Sequence, residues 1–117
     1  MIFTKDIDSA ALALKVSSKM YFDIDFTIEQ IKSHLSDKEY YAVFDNKLIG
    51  AAYYNGIDFH IGMIDKGFGA SVIKKLTKNR LTRAVINNKD TRTIKLGTVL
   101  GFTRIGNDEK YTYMVKK

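Results

Sequence analysis

The sequence has no cysteine and no proline, and its 117 residues include only two histidines, His34 and His60. Without cysteine there is no disulfide, no thiolate nucleophile and no thiolate-bound metal, which is compatible with a cytoplasmic setting. Two isolated histidines leave no ligand cluster, so no metal site is expected. Without proline the turns fall to Gly, Asn and Asp and are read directly from the chain. No apolar run approaches the roughly 20 residues of a membrane span. The start, Met1-Ile2-Phe3-Thr4-Lys5-Asp6, lacks the basic-then-apolar layout of a signal peptide. No repeat, low-complexity tract, linker or nucleophile elbow for a serine triad is present. One domain over residues 1–117 is the simplest expectation.

What is present is ordinary globular composition, 45% hydrophobic and 27% charged. The net charge of +6 arises from 19 basic against 13 acidic residues. Such an excess favours a polyanion, whether nucleic acid, an anionic surface or a phosphorylated cofactor. Nucleic acid is disfavoured, because no RNA-recognition signature or zinc knuckle accompanies the charge.

Ile2-Phe3-Thr4 reads as a short strand. Asp6 or Asp8 then caps a helix running to about Phe22, with Ile7, Ala11 and Leu14 on one stripe. Thr27 and Gln30 fit a capping box, followed by Ile28, Ile31 and Leu35 at helical spacing. The period changes to two from Tyr40. Tyr40–Phe44 and Leu48–Tyr54 form a hairpin around Asp45-Asn46-Lys47, and Asn55-Gly56 turns into a third strand from Ile57 to Ile64. That strand alternates Ile57, Phe59, Ile61 and Met63 against Asp58, His60 and Gly62. Ala70 to Lys78 reads as a helix, Leu81 to Ile86 as a strand, and Asp90 to Leu100 as a helix stopped by Gly101. Phe102–Ile105 and Tyr111–Val115 close the chain as a hairpin. A meander followed by a βαβ crossover predicts a mixed α/β (α+β) fold.

The passage Lys66-Gly67-Phe68-Gly69 carries the strongest chemical signal. Two glycines let backbone approach a ligand, and the helix start at Ala70 and Ser71 offers free N–H groups and a positive dipole end, a device that holds pyrophosphate. By itself Gly-x-Gly is equally a sharp strand-to-helix turn.

The wider pattern resembles the GNAT (N-acetyltransferase) superfamily. Its acetyl-CoA loop joins the fourth strand to the third helix with Arg or Gln, two residues, Gly, one residue, then Gly or Ala. Gly67-Phe68-Gly69 matches the glycine half, while the Arg/Gln position falls on Ile64 and the loop is shorter. Thr93-Ile94-Lys95-Leu96-Gly97-Thr98-Val99-Leu100-Gly101-Phe102 is similar to the family's "A-I-x-L-Y-x-x-L-G-F" segment, and Asn46-Lys47-Leu48-Ile49-Gly50 to its usual second-to-third strand turn. The resemblance covers nearly the whole chain. It implies a GNAT-like mixed, mainly antiparallel sheet of six to seven strands with about four helices on its two faces. It also implies acetyl-CoA as co-substrate and transfer of an acetyl group to an amine, carried by a small molecule or a protein. Backbone N–H groups of Ile61, Gly62 and Met63 would polarise the thioester carbonyl, and Gly67, Phe68, Gly69, Ala70 and Ser71 would hold the pyrophosphate. The family's Asn at the head of the last helix aligns with Asp90; Asn87 and Asn88 lie just before it, and Asn88 is a further cofactor-binding candidate. Some of Lys74, Lys75 and Lys78, with Arg80 and Arg83 beyond them, would meet CoA phosphates, chiefly the 3′-phosphate, or simply form a solvated helix face.

Where many members place a proton-donating tyrosine, this chain has Gly97. Tyr111 or Tyr113 on the last strand is the substitute candidate. His60 is the best candidate base, since an imidazole suits proton transfer near neutral pH; otherwise it is a hydrogen-bonded sheet histidine. Asp58 is the next candidate, and His34 reads as a surface or helix-end residue. Tyr21, Phe22, Asp23 and Asp25 are candidates for the acceptor pocket. Ile64, Gly97 and the short loop keep open a second reading, a catalytically inactive GNAT-shaped binding or structural protein. So trimmed a form would suit a compact genome such as a bacteriophage's. Exchange of the last strand between protomers is open to such a sheet, and no membrane partner is expected.

Overall fold

The computed structural model describes all residues from Met1 to Lys117. The elements are β1 (Ile2–Thr4), α1 (Ile7–Phe22), α2 (Ile28–Leu35), β2 (Glu39–Phe44), β3 (Leu48–Asn55), β4 (Asp58–Met63), α3 (Gly69–Leu76), β5 (Thr82–Asn87), α4 (Thr91–Val99), β6 (Thr103–Asn107) and β7 (Tyr111–Lys116). This is the order that the periodicity predicts. The strands form a seven-stranded sheet in the order β1-β2-β3-β4-β5-β7-β6. It is mainly antiparallel, with β4 and β5 parallel neighbours. The final hairpin is inserted second strand first: β7 pairs with β5 from Thr82↔Lys116 to Asn87↔Tyr111, and β6 pairs only with β7. No helix is long and apolar enough to cross a membrane.

Contacts divide the chain into two compact units, Met1–Asn55 with His60–Gly69, and Gly56–Phe59 with Ala70–Lys117. In the first unit, α1 starts where the Asp6 carboxylate accepts from Asp8 N (3.2 Å) and Ser9 Oγ (2.7 Å). α2 opens on the expected capping box, with Thr27 N donating to Gln30 Oε1 (2.8 Å) and Gln30 N to Thr27 Oγ1 (3.1 Å). The buried face of α1 is made of Ala10, Ala11 and Ala13, and it clusters with Ile31 and Leu35 of α2, Ala42 of β2 and Ala51 of β3. Side chains this small let the helix lie close on the strands. Gly62 shows how close: a Cβ there would come 2.6 Å from Ser17 Oγ and 3.0 Å from Leu14 Cδ2. Ile64, at the position where the resemblance implies Arg or Gln, packs against this same cluster and donates its N–H to Ile49 O at 2.8 Å.

In the second unit, Ile86, Phe102 and Met114 form the buried cluster, flanked by Ile73, Ala84, Ile94 and Leu100. Asp58 and Arg83 are register partners, joined by Arg83 N to Ile57 O (2.8 Å) and by Arg83 Nη2 to Asp58 Oδ2 (2.7 Å). α4 is capped by Asp90, which accepts from Thr93 N (3.2 Å), and is followed by Gly101 at φ +98. Gly97 has a packing reason: a Cβ there would sit 3.2 Å from Met114 Sδ and 3.8 Å from Phe102 Cβ. The β6–β7 turn is organised by Asp108, which accepts from Tyr113 Oη (2.6 Å), Tyr111 N (2.7 Å) and Lys110 N (2.8 Å). The Tyr113 hydroxyl and these amides hold its carboxyl below the usual range.

Several boundaries differ from the periodicity. α3 stops at Leu76 instead of Lys78, because Thr77 turns its hydroxyl back onto Ile73 O (2.7 Å) and Asn79 takes a left-handed φ of 55. β4 begins at Asp58, leaving Ile57 exposed in the preceding turn. Phe102 precedes β6 and is buried in the core, where the sequence reading makes it the strand's first residue.

Candidate active site

The chain leaves β4 through Ile64-Asp65-Lys66 and reaches Gly67 at φ +93, a region that L side chains rarely adopt. Gly67 is exposed, and a Cβ built on it would meet nothing within 4 Å. Phe68 is half-buried, and α3 starts at Gly69, where a Cβ would touch only Met63 Cγ at 3.9 Å. The first amides of a helix have no partner within it; here they belong to Gly69, Ala70 and Ser71. No acidic residue lies in that first turn, and Lys74 and Lys75 stand exposed in the last one. An open turn that leads into a helix start with no acidic residue in its first turn suits an anionic group such as pyrophosphate. Of the β4 residues, Ile61 and Met63 are half-buried and Gly62 lies buried under Ser17.

A separate feature lies within the first unit. A cavity of about 470 Å³ is lined by Leu14 and Ser18 of α1, Phe26 of the connector, Gln30, Ile31 and His34 of α2, and Tyr53 of β3. Tyr53 stands between the two histidines of the chain. Its ring stacks on His60 with centroids 4.6 Å apart and planes 13° from parallel. It meets His34 edge-on at 5.3 Å, and its hydroxyl lies 3.3 Å from His34 Nε2. Burial pushes the Tyr53 phenol above the usual tyrosine range, so it keeps its proton at neutral pH. His60 itself is exposed on β4.

By sequence His34 is a surface or helix-end residue, and nothing there singles out Tyr53. Both belong to the cavity wall, whereas Tyr21, Phe22, Asp23 and Asp25, the residues expected to line an acceptor pocket, do not. All four are exposed, and the two aspartates are held by lysines: Asp25 by Lys15 and Asp23 by Lys19, each at 2.8 Å. Asp58, the second candidate base, is tied to Arg83, whose guanidinium it pushes above its ordinary value.

Two further candidates lie in the second unit. Tyr111 pairs with Asn87 across β5 and β7, is half-buried, and has Lys110 Nζ 5.4 Å from its ring centre. The Asn88 side chain is engaged at both ends: its Nδ2 donates to Asp108 O (2.9 Å) and its Oδ1 accepts from Thr112 Oγ1 (2.6 Å).

No protein-family profile matches the chain, and no curated protein matches it in sequence. Solved structures do match. One is a chimera of the spermidine N-acetyltransferase SpeG from Vibrio cholerae and hSSAT, with a TM-score of 0.76 at 13% identity over 98% of this chain and 93% of that one. Another is the N-acetyltransferase PseH of Campylobacter jejuni in complex with acetyl coenzyme A, with a TM-score of 0.68 at 21% identity over 99% and 92%. A third, from Bordetella pertussis and assigned to the GnaT acetyltransferase family, has a TM-score of 0.69 at 12% identity over 95% and 89%. Identities this low speak for architecture, and together with the element order they make one point. The chain has the GNAT acetyltransferase fold.

Proposed function

We propose that this protein is an acyl-CoA-dependent N-acyltransferase that moves an acetyl group from acetyl-CoA to a primary amine. The observation that carries the reading is the Gly67 turn, exposed and unobstructed at the start of α3, within a fold whose solved examples include an acetyl-CoA complex. Amides of Gly67, Phe68, Gly69, Ala70 and Ser71 would hold the pyrophosphate, and those of Ile61, Gly62 and Met63 the thioester carbonyl. Acetyl-CoA supplies the acyl group as a thioester. The amine nitrogen bonds to the acyl carbon, the carbon–sulfur bond breaks, and the proton shed by nitrogen ends on the sulfur, so that an amide and free CoA result. His60 is the proton acceptor in this scheme, and Tyr53 fixes its ring by stacking and holds its own proton in reserve. Tyr111 and Asn88 stay as candidates for proton donation and cofactor contact. In this proposal the protein works in the cytoplasm, a setting compatible with its lack of cysteine.

The test is release of CoA thiol on mixing protein, acetyl-CoA and amines. His60→Ala is expected to lower turnover by about 10²-fold or more, the usual contribution of a positioned base, with acetyl-CoA affinity unchanged. Equal turnover in the variant would clear His60 of that role. Ile64 packed against the core cluster and Gly97 against Met114 favour a second reading, a GNAT-fold binding or structural protein without catalysis. Its mark is that no thiol is released from any amine, whether or not acetyl-CoA binds.

A further inference from the structure

We infer that the cavity of the first unit selects a monoamine on an apolar body, aryl or branched alkyl, and discriminates against polycations; as an acceptor assignment this rests on the acyl-transfer reading above. Leu14 and Ile31 give the wall its aliphatic part, and Phe26 and Tyr53 its aromatic part. At about 470 Å³ the cavity falls in the range of small-molecule sites, roughly 300–1,000 Å³.

Its polar lining is as informative as its apolar lining. Ser18, Gln30 and His34 bring no negative charge. Gln30 has its carbonyl oxygen committed to Thr27 N in the capping box (2.8 Å), so the end left for a ligand is an NH₂ donor. A donor opposes an ammonium group and suits a neutral amine or an acceptor atom. Of the carboxylates at the α1–α2 junction, Asp23 pairs with Lys19 and Asp25 with Lys15, each at 2.8 Å, and Glu29, in the first turn of α2, is not part of the cavity wall. A polycation entering this cavity would shed water against hydrocarbon and aromatic rings without gaining a counter-ion, a steep penalty. An amine with one nitrogen and an apolar body buries that body against Leu14, Phe26 and Ile31. It can also approach as the neutral nucleophile that acyl transfer needs.

The probes are phenethylamine and spermidine, used with the intact chain in two measurements. The first is CoA release from acetyl-CoA. The second is binding of each amine alone, followed by methyl signals of Leu14 and Ile31. Phenethylamine is expected to exceed spermidine by at least about tenfold in kcat/KM and in binding. Gln30→Glu keeps the capping box, since glutamate accepts from Thr27 N as glutamine does, but puts a carboxylate on the wall. It is expected to shift the kcat/KM ratio of the two amines toward spermidine at least about fivefold, because spermidine keeps charge on its non-reacting nitrogens beside that carboxylate, whereas the single nitrogen of phenethylamine must lose its charge to react. A wild-type preference for spermidine, with CoA released, would overturn the assignment and leave acyl transfer standing. Phenethylamine binding at the Leu14 and Ile31 methyls without CoA release would uphold the cavity's selectivity and contradict acyl transfer. Binding of neither amine would overturn the assignment outright.

Discussion

Gly69→Glu should abolish acetyl-CoA binding in a protein that still folds. The substitution is sterically permitted, since a Cβ at Gly69 meets only Met63 Cγ at 3.9 Å. It replaces the most flexible residue at the first position of α3 and puts a carboxylate at the positive end of the helix. Carboxylates placed there stabilise a helix by about 0.3–1 kcal/mol, so the melting temperature should hold or rise. The same carboxylate stands where the pyrophosphate would lie. Juxtaposed like charges cost several kcal/mol, and each 1.4 kcal/mol is about tenfold in affinity. Calorimetric titration should therefore show a loss of at least about a hundredfold. Gly69→Ala, which adds the Cβ without the charge, should bind within a few-fold of wild type. A Gly69→Glu protein that binds acetyl-CoA normally would place the cofactor elsewhere.

Gly50→Ala carries the largest expected effect on stability. A Cβ there would lie 2.5 Å from Met63 Sδ, 3.0 Å from Met63 Cε and 2.8 Å from the Gly62 backbone oxygen. A methionine tip can swing aside, whereas a carbonyl in the neighbouring strand moves only if β3 and β4 part. Overpacking of this kind costs about 1–3 kcal/mol and occasionally more. The backbone clash puts the expected loss near the top of that range, or roughly 10–20 °C in melting temperature for a chain of this size. Adding Met63→Ala should recover part of the loss by removing the sulfur contact, but not the part owed to the Gly62 carbonyl. Full recovery would show that the side chain alone holds the position to glycine, and an unchanged melting temperature in the single variant would contradict the close approach itself.

What could be read in the sequence was local. The α1 cap, found at Asp6 of the two aspartates offered for it, the Thr27–Gln30 box and the turn at Asn46 each depend on a few adjacent residues and appear as expected, as does the Gly67 turn, whereas Gly69 is the first residue of α3 and does not precede it. The strand order was not local. Nothing in the alternation of Tyr111–Lys116 says that β7 lies against β5 while β6 takes the edge, because period fixes which face a side chain occupies and is silent about neighbours. The cavity was hidden for the same reason. His34 and Tyr53 lie on separate elements and meet only through the seating of α2 against β3, while His60 reaches Tyr53 across the neighbouring strands of one hairpin. The acidic loop residues drew attention by their charge, yet Asp23 and Asp25 hold lysines of α1. Gly97 was conspicuous as a glycine inside a helix, and its reason, the sulfur of Met114, lies on another element.

Amide shifts of the labelled protein, followed as acetyl-CoA is added, test the central claim most directly. Gly67, Phe68, Gly69, Ala70 and Ser71 are expected to move together and saturably, as N–H groups that gain a phosphate oxygen do. Spectra in which those five signals stay fixed at saturating cofactor would contradict it.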